Sequence, residues 1–377
     1  MKAGILTYHN AKNYGAVLQA FALKTVIEQL GHECEVINYI NPEFHNVFWK
    51  KQDYLKTITK TFSLKKRIKQ LLQRKGLLSV PIWEREERFC DLFCRFAVKC
   101  LHITQLCTKE CWGDIEAQYD RLIVGSDQVW NENIMLRDLS FFFESIQDPI
   151  KKNSYSASFG GAEVSESFQS VIAPLLQTFH KISLREKSGQ ELVEKLLSKS
   201  VSRTLDPVFL MTLADWKRFA ISPRQKNYIL FFPLYRSDAL VSFVKKLSAK
   251  LRAKIVYVCA FEHPFPYGLN DITPTPLEFV GLFQKARCVV TNSFHGVAFS
   301  IVHNKDFYME YPYNPLNNMN ERFDSLIKTL GIGDRFIPTD PTDELAPMDY
   351  SRINSRLAAE RQASLDYLKS IFDRELS

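Results

Sequence analysis

A histidine and a glycine stand between an apolar run and a helical pattern in CVVTNSFHGVAFSIV, residues 288–302. The β-prone run stops at Thr291, and the pattern predicts a helix that begins at about Gly296. The first amides of a helix lack intrahelical partners and carry partial positive charge, so they favour phosphate or carboxylate. His295 can transfer a proton near neutral pH. The segment therefore predicts an anion site with a proton donor, formed by Asn292, Ser293, His295 and Gly296. The alternative is that His295 caps the helix and packs between domains.

A second polar loop, GSDQVWN, follows the apolar run RLIV. Asp127 then lies at the carboxyl end of a predicted strand, where a carboxylate can accept a proton or orient a hydroxyl. The alternative is that Asp127 caps a turn and that Trp130 belongs to the core. The candidate ligands of this loop are Gly125, Ser126, Asp127 and Gln128.

Arg185 leaves another predicted strand in the segment ISLREKSG. Arginine is the natural bidentate partner of phosphate or carboxylate, so Arg185 is a candidate anion ligand. The alternative is a structural ion pair with a nearby acid such as Glu186 or Asp206. The sequence leaves both interpretations open.

The loop YHNAKNYG, residues 8–15, precedes a helical pattern and contains His9, Asn13 and Tyr14. It has a single glycine in place of G-x-G-x-x-G, so dinucleotide binding is not expected. The loop is instead predicted to bind sugar hydroxyls or an anion. The sequence also lacks the P-loop, G-x-S-x-G and H-E-x-x-H motifs and a clear acidic metal cluster.

Alternating strand and helix patterns must position these loops. The first series predicts a strand, a helix and a strand, in KAGILT, AVLQAFALKTVIEQL and ECEVINY. The helix is expected to pack through one face, which contains Leu18, Ala22, Val26 and Leu30. A second series runs from NYILFFPL through CVVT to DFYMEY, and TPLEFVGLFQKA predicts a capped helix. Ligands of such sheets bind at the carboxyl ends of strands, where the polar loops lie.

The predicted architecture is α/β, with two facing Rossmann-like domains and a ligand cleft between them. The N-terminal domain is placed at 1–208, with a helical insertion at about 41–115, and the C-terminal domain at 209–350. A final helix at 351–377 is expected to pack back on the N-terminal domain. The length of 377 residues suits two domains.

The N-terminus, MKAGILTYHN, turns polar too soon for a secretory signal, and no apolar run is long enough to span a bilayer. We therefore expect a cytoplasmic protein whose eight cysteines are free thiols. The basic stretch 60–76 is read as a solvated helix with one packed face, or as a helix resting on anionic membrane. No nucleic-acid partner is expected.

Five cysteines crowd residues 90–111, and two of their pairs have C-x3-C spacing. That spacing is within the range of structural zinc sites. ERFCDLFCRF also reads as an amphipathic helix in which cysteine acts as a small hydrophobic residue. The second interpretation is favoured, and no metal is expected.

The motifs GILTYHNAKNYGAVLQAFAL, DRLIVGSDQVWN, SYSASFG, ISLREKSG, LDPVFL and VVTNSFHGVAFSIV occur in this order. Together they resemble the polysaccharide pyruvyl transferase family, from residue 1 to about 335. The resemblance implies a GT-B-like fold and transfer of a pyruvyl group from phosphoenolpyruvate onto two hydroxyls of one sugar. A pyruvate ketal forms and phosphate is released. No cofactor is implied, and the acceptor is often lipid-linked, for capsule or exopolysaccharide in bacteria.

The resemblance matches His295 and Arg185 to a histidine and an arginine of the family. The expected mechanism has His295 protonating the methylene carbon, Asp127 assisting the sugar hydroxyl, and Arg185 holding phosphate. The N-terminal domain is then the acceptor side and the C-terminal domain the donor side. Some members carry an arginine two residues before the histidine, where this chain has Ser293. Arg322 and Lys305 are the candidate replacements.

Two other functions remain open. A GT-B glycosyltransferase would use the same cleft for a nucleotide-sugar, but the C-terminal half shows no convincing base-stacking pocket or ribose-binding acid. A non-catalytic partner in polysaccharide assembly would dock through the basic stretch and the insertion. Polar groups at three separate strand ends argue against that second alternative.

Overall fold

The computed structural model describes residues 1–40, 82–135, 138–161, 163–260, 267–269, 271–312, 320–338 and 346–373, and only the backbone of 82–86. Two parallel sheets organise these residues. The basic stretch 60–76 and much of the insertion at about 41–115 lie outside the described residues.

The N-terminal sheet has the order β2-β1-β3-β4 and is parallel throughout. A parallel pair, β5-β6, continues it through bridges between Asn153 and Lys181 and between Ala157 and Leu184. The order reverses between β1 and β3, so the loops that follow these two strands meet at a topological switch point. The strands are β1 (Lys2–Leu6), β2 (Glu33–Val36), β3 (Arg121–Val124), β4 (Lys152–Ser154), β5 (Ser183–Leu184) and β6 (Ser202–Arg203).

The C-terminal sheet is also parallel and has the order β11-β10-β7-β8-β9. This order matches the first five strands of the six-stranded Rossmann order 3-2-1-4-5-6, with the switch point between β7 and β10. The strands are β7 (Tyr228–Phe232), β8 (Lys254–Val258), β9 (Asp271–Ile272), β10 (Cys288–Thr291) and β11 (Phe307–Met309).

Helices cover the sheets and join the two halves. In chain order they are α1 (Tyr14–Gln29), α2 (Ile82–Phe96), α3 (Trp112–Gln118), α4 (Glu132–Met135), α5 (Glu166–Gln177), α6 (Lys187–Leu197), α7 (Leu213–Phe219), α8 (Asp238–Leu251), α9 (Pro276–Lys285), α10 (Phe294–Val302), α11 (Asn320–Leu330) and α12 (Tyr350–Ser370). The predicted fold class is confirmed, because two Rossmann-like α/β units face each other in a GT-B-like arrangement.

The one-sided packing predicted for α1 is wrong. Every residue from Tyr14 to Ile27 is buried. The ring of Phe21 lies 5.0 Å from that of Phe219, and Tyr14 stacks on Phe279 at 4.5 Å, so α1 packs between the two domains. A helix buried on all sides shows no single apolar stripe.

The helix α12 returns to the N-terminal sheet. The hydroxyl of Tyr367 donates to the Ser154 carbonyl at 2.8 Å, and the Leu205 amide donates to Ser364 at 3.0 Å. These bonds join the last helix to the ends of β4 and β6. The helix α12 is thereby held against the domain in which the chain begins.

The five cysteines at residues 90–111, all of which the structure describes, form no disulfide bond. Cys94 is buried within α2, as expected of a small hydrophobic residue. Within the part of the chain that the structure describes, no three His, Cys, Asp or Glu residues are grouped so that they could hold a metal ion. In that same part, no helix has the length and apolar character to cross a membrane.

Candidate functional site

The sequence predicts that the helix α10 begins at about Gly296. In the structure it begins two residues earlier, at Phe294. Ser293 is its N-cap, with an extended backbone, and the Ser293 hydroxyl accepts the Gly296 amide at 3.4 Å. Serine favours this position because its side chain satisfies an amide that the helix leaves open. His295 therefore lies inside the first turn, and Ser293 is engaged in capping.

His295 lies at the junction of the two domains. Its Nε2 is 3.5 Å from Oδ2 of Asp206 and has no hydrogen-bond partner among the described residues. The ring lies against the start of α1, where a Cβ on Gly15 would be 2.0 Å from Nδ1. Glycine at position 15 is what leaves room for the imidazole.

Asp206 connects His295 to Arg185. It follows β6 and caps the short turn Pro207–Phe209, its Oδ1 accepting the Val208 amide at 3.0 Å. Its Oδ2 accepts from Nη1 of Arg185 at 2.8 Å. Burial acts to raise the pKa of Asp206, but His295, Arg185 and the Val208 amide outweigh it and bring the pKa to about 2. Asp206 is therefore a buried, ionised carboxylate.

Arg185 is buried among three carboxylates. Its guanidinium donates to Glu186 at 3.1 Å, to Asp206 at 2.8 Å and to Asp127 at 3.4 Å. Burial acts to lower the pKa of Arg185, but the three acids raise it above the ordinary value. The sequence left open a structural ion pair of Arg185 with Glu186 or Asp206. The structure shows ion pairs with both acids.

Arg322 enters the same cluster from α11. Its Nη1 is 3.8 Å from Oδ1 of Asp127, and its Nε has no partner in the described part of the chain. Burial, followed by the neighbouring charge of Arg185, lowers the pKa of Arg322. The Phe294 ring lies 5.2 Å from the guanidinium carbon of Arg185 and 5.8 Å from that of Arg322, which suits cation–π contact.

A small pocket opens beside these side chains. His295 and Asp127 do not line it, but each contacts a residue that does: Asp206 and Arg185, respectively. The pocket combines cationic, anionic, hydroxyl and apolar groups. Its lining residues are Arg185, Arg203, Thr204, Leu205, Asp206, Phe209, Phe294, Arg322, Ser325, Leu326, Thr329 and Glu360.

The loop after β3 is shaped so that Asp127 faces the arginines. Gly125 has φ +132°, and a Cβ there would be 2.1 Å from the Tyr155 carbonyl oxygen, so only glycine fits. The Ser126 hydroxyl donates to the Ser156 carbonyl at 3.0 Å. Gln128 accepts from the Asn131 side chain at 2.8 Å. Trp130 is fully buried in the core.

The other predicted ligands are hydrogen-bonded within the protein. His9 Nε2 is 3.0 Å from Asn38 Oδ1, and Tyr14 donates to the Pro274 carbonyl at 2.8 Å across the domain junction. Asn13 caps α1 by accepting the Gly15 amide at 2.8 Å. These side chains hold the first loop in place.

Of two more predicted residues, Asn292 lies at the second switch point and Lys305 lies away from the cluster. Asn292 accepts the backbone amides of Leu234 and Tyr235 at 2.7 and 3.2 Å, which ties the loops after β7 and β10 together. Lys305 follows the far end of α10, a helix of about 13 Å at 1.5 Å per residue. Of the two cations considered for the charge missing at Ser293, Arg322 is the one in the cluster.

The fold and this junction define a GT-B-like protein whose ionisable side chains converge from both domains. Residues 13–309 match the family model described as polysaccharide pyruvyl transferase. The chain belongs to that family, and its class of activity is that of a transferase.

Several solved structures are similar over nearly the whole chain. The glycosyltransferase SsfS6 from Streptomyces sp. SF2575 is 14% identical, with 99% of this chain and 100% of that chain covered and a TM-score of 0.43. UDP-GlcNAc 2-epimerase from Neisseria meningitidis, bound to UDP-GlcNAc, is 11% identical, with 99% and 95% covered and a TM-score of 0.46. No curated protein matches the chain.

Asp206→Asn is expected to change how stability depends on pH. A carboxyl whose pKa falls from 3.8 to about 2 on folding stabilises the fold above about pH 4, and that contribution is lost as pH falls towards 2. The variant should be less stable than wild type at pH 7. The difference between their free energies of unfolding should shrink by about 2 kcal/mol as the pH falls from 5 to 2. Urea unfolding across this pH range measures that difference. A difference that stays constant with pH would contradict the conclusion that Asp206 is ionised in the folded protein.

Proposed function

We propose that the protein transfers a pyruvyl group from phosphoenolpyruvate onto two hydroxyls of one sugar, forming a pyruvate ketal and releasing phosphate. The observation that supports this is the convergence of His295 and Arg322 from the C-terminal domain with Asp127 and Arg185 from the N-terminal domain. Such a set offers a proton donor, a proton acceptor and two cations. A small, highly anionic donor needs these groups.

The guanidinium groups suit the donor and the departing phosphate. Arginine pairs with phosphate and carboxylate through two parallel hydrogen bonds. Burial strengthens such interactions because water does not screen them. One well-placed donor to a developing charge is worth ~3 kcal/mol of barrier, so we expect phosphate stabilisation to be the largest contribution.

The proposed steps balance in atoms and charge. His295 protonates the methylene carbon, which becomes a methyl group, and a sugar hydroxyl attacks the adjacent carbon while Asp127 takes its proton. The C–O bond to phosphate then breaks, and the second hydroxyl of the sugar attacks the same carbon and closes the ketal. Of the two hydroxyl protons, one replaces the proton that His295 gave, and the other leaves with hydrogen phosphate.

The acceptor proposed is a sugar of a lipid-linked precursor for cell-surface polysaccharide. The N-terminal domain would face the acceptor and the C-terminal domain the donor. Contact of the basic stretch 60–76 with the inner face of the membrane would bring the protein to such a substrate. No cofactor is part of the proposal.

Ligand-dependent melting separates this function from its alternatives. We expect phosphoenolpyruvate to raise the melting temperature, because a ligand at 100 times its Kd stabilises by about 2.7 kcal/mol. Stabilisation by UDP or ADP without a response to phosphoenolpyruvate would favour a glycosyltransferase. No response to either would favour a non-catalytic partner.

Phosphate release from phosphoenolpyruvate, measured across a panel of lipid-linked sugars, tests the reaction itself. We expect release that depends on the acceptor and that equals the ketal formed, counted by mass spectrometry of the sugar. Binding of phosphoenolpyruvate with no transfer to any acceptor that carries two adjacent or 4,6-related hydroxyls would contradict the proposal.

A further inference from the structure

The two buried arginines of the cluster are paired very unequally. Arg185 has a carboxylate partner for each of its three nitrogens, at 2.8, 3.1 and 3.4 Å. Arg322 is as deeply buried, yet its ion pair with Asp127 is 3.8 Å long and its Nε has no partner among the described residues. Both guanidinium groups reach the same oxygen, Oδ1 of Asp127.

This arrangement is costly for Arg322. A buried charge needs close, well-oriented partners to offset the loss of hydration, and one contact at 3.8 Å is a weak one. Arg185 lies close by and repels it. The side chain nevertheless lines the interdomain pocket. An anion entering that pocket could pair with Arg322 in better geometry than Asp127 does.

We propose that Arg322 is the primary anion-binding side chain of the pocket, and that the donor's phosphate or carboxylate displaces Asp127 from it. This inference rests on the proposed function for the identity of the donor. The displaced carboxylate of Asp127 becomes available to accept the proton of the sugar hydroxyl. Donor binding thereby prepares the base, so the donor binds before the acceptor becomes reactive.

Arg322→Gln tests the first half of the inference. The variant loses the charged hydrogen bonds from the guanidinium to the anion. The affinity for phosphoenolpyruvate and for inorganic phosphate, measured by calorimetry, should therefore fall about 10- to 100-fold. Without ligand, the melting temperature should stay the same or rise, because an underpaired buried charge is removed. Arg322→Lys, which keeps the charge but loses the planar fork, should fall between wild type and Arg322→Gln.

Lys328→Gln is the matched control. It removes the same charge from the same helix at an exposed position. Affinity and melting temperature should both remain at the wild-type values. A loss of affinity in this control equal to that in Arg322→Gln would mean that only net charge matters, and the inference would be overturned.

Asp127→Asn tests the displacement. The substitution removes the carboxylate that competes with the ligand and repels it, so affinity for both anions should rise on the order of tenfold. Turnover should nevertheless fall steeply, because the amide cannot accept the hydroxyl proton. A rise in affinity together with a loss of turnover is not expected of a purely structural aspartate.

Each outcome bears on one hypothesis or the other. The inference is overturned if Arg322→Gln binds both anions like wild type but melts earlier, or if Asp127→Asn binds them no more tightly. If phosphate binding depends on Arg322 but phosphoenolpyruvate does not bind, the subsite stands and the proposed function fails. If wild type binds neither anion, both are overturned.

Discussion

His295→Gln is expected to lower turnover by on the order of 10²- to 10⁴-fold, the usual worth of general acid catalysis. Glutamine has a similar size and keeps a hydrogen-bond donor, but it cannot deliver a proton to carbon. Affinity for phosphoenolpyruvate should change little, because Arg185 and Arg322 remain. Phosphate release and calorimetric affinity on one preparation measure the two effects.

His303→Gln is the matched control for this variant. His303 is the buried C-cap residue of the same helix, and burial lowers its pKa to about 4, so it is neutral at pH 7. Its Nδ1 is 2.9 Å from the Phe299 carbonyl, at the far end of α10 from the cluster. We expect this control to lose stability while turnover per folded molecule is kept.

The competing role for His295 is packing between the domains, since Ser293 rather than His295 caps the helix. In that case, His295→Gln should behave like His303→Gln, with a lower melting temperature and nearly unchanged turnover. A folded His295→Gln protein that turns over near the wild-type rate would rule out the acid role.

Gly15→Ala is expected to lower turnover about 100-fold by moving the imidazole, since displacement of a catalytic group by about 1 Å can have that effect. The added Cβ would lie 2.0 Å from Nδ1 and 2.4 Å from Cγ of His295, so the whole ring must shift. Alanine itself favours a helix over glycine by about 1 kcal/mol, so α1 should still form. Turnover and far-ultraviolet circular dichroism measure the two effects.

Gly113→Ala provides the control, because Gly113 holds the same second position of its helix, α3, and no atom of the described residues lies within 4 Å of an added Cβ. It should gain stability and keep full turnover. If Gly15→Ala also kept full turnover, the position of His295 against α1 would be irrelevant to the reaction.

Much of the fold could be predicted because its signals are local. The strand CVVT matches β10, and the capping box of Thr275 and Glu278 begins α9 as predicted. The polar loops after β1, β3 and β10 also follow from alternating strand and helix patterns. Periodicity failed for α1, where burial on every side depends on a second domain that the local pattern does not describe.

By itself, the sequence determined the α/β class, the family and the loops in which Asp127, Arg185 and His295 lie. Only the tertiary structure decided their partners. Asp206 was named merely as one alternative partner of Arg185, although the motif LDPVF signals a capping aspartate followed by proline. The structure brings it to both Arg185 and His295.

The choice of Arg322 over Lys305 and the need for glycine at position 15 were likewise decided by the tertiary structure. The physical reason is that these contacts join residues far apart in the chain and on different domains. Local patterns determine which strand a loop follows and therefore the sheet edge at which it lies. The angle at which the two domains pack determines which side chains then come within 4 Å of one another.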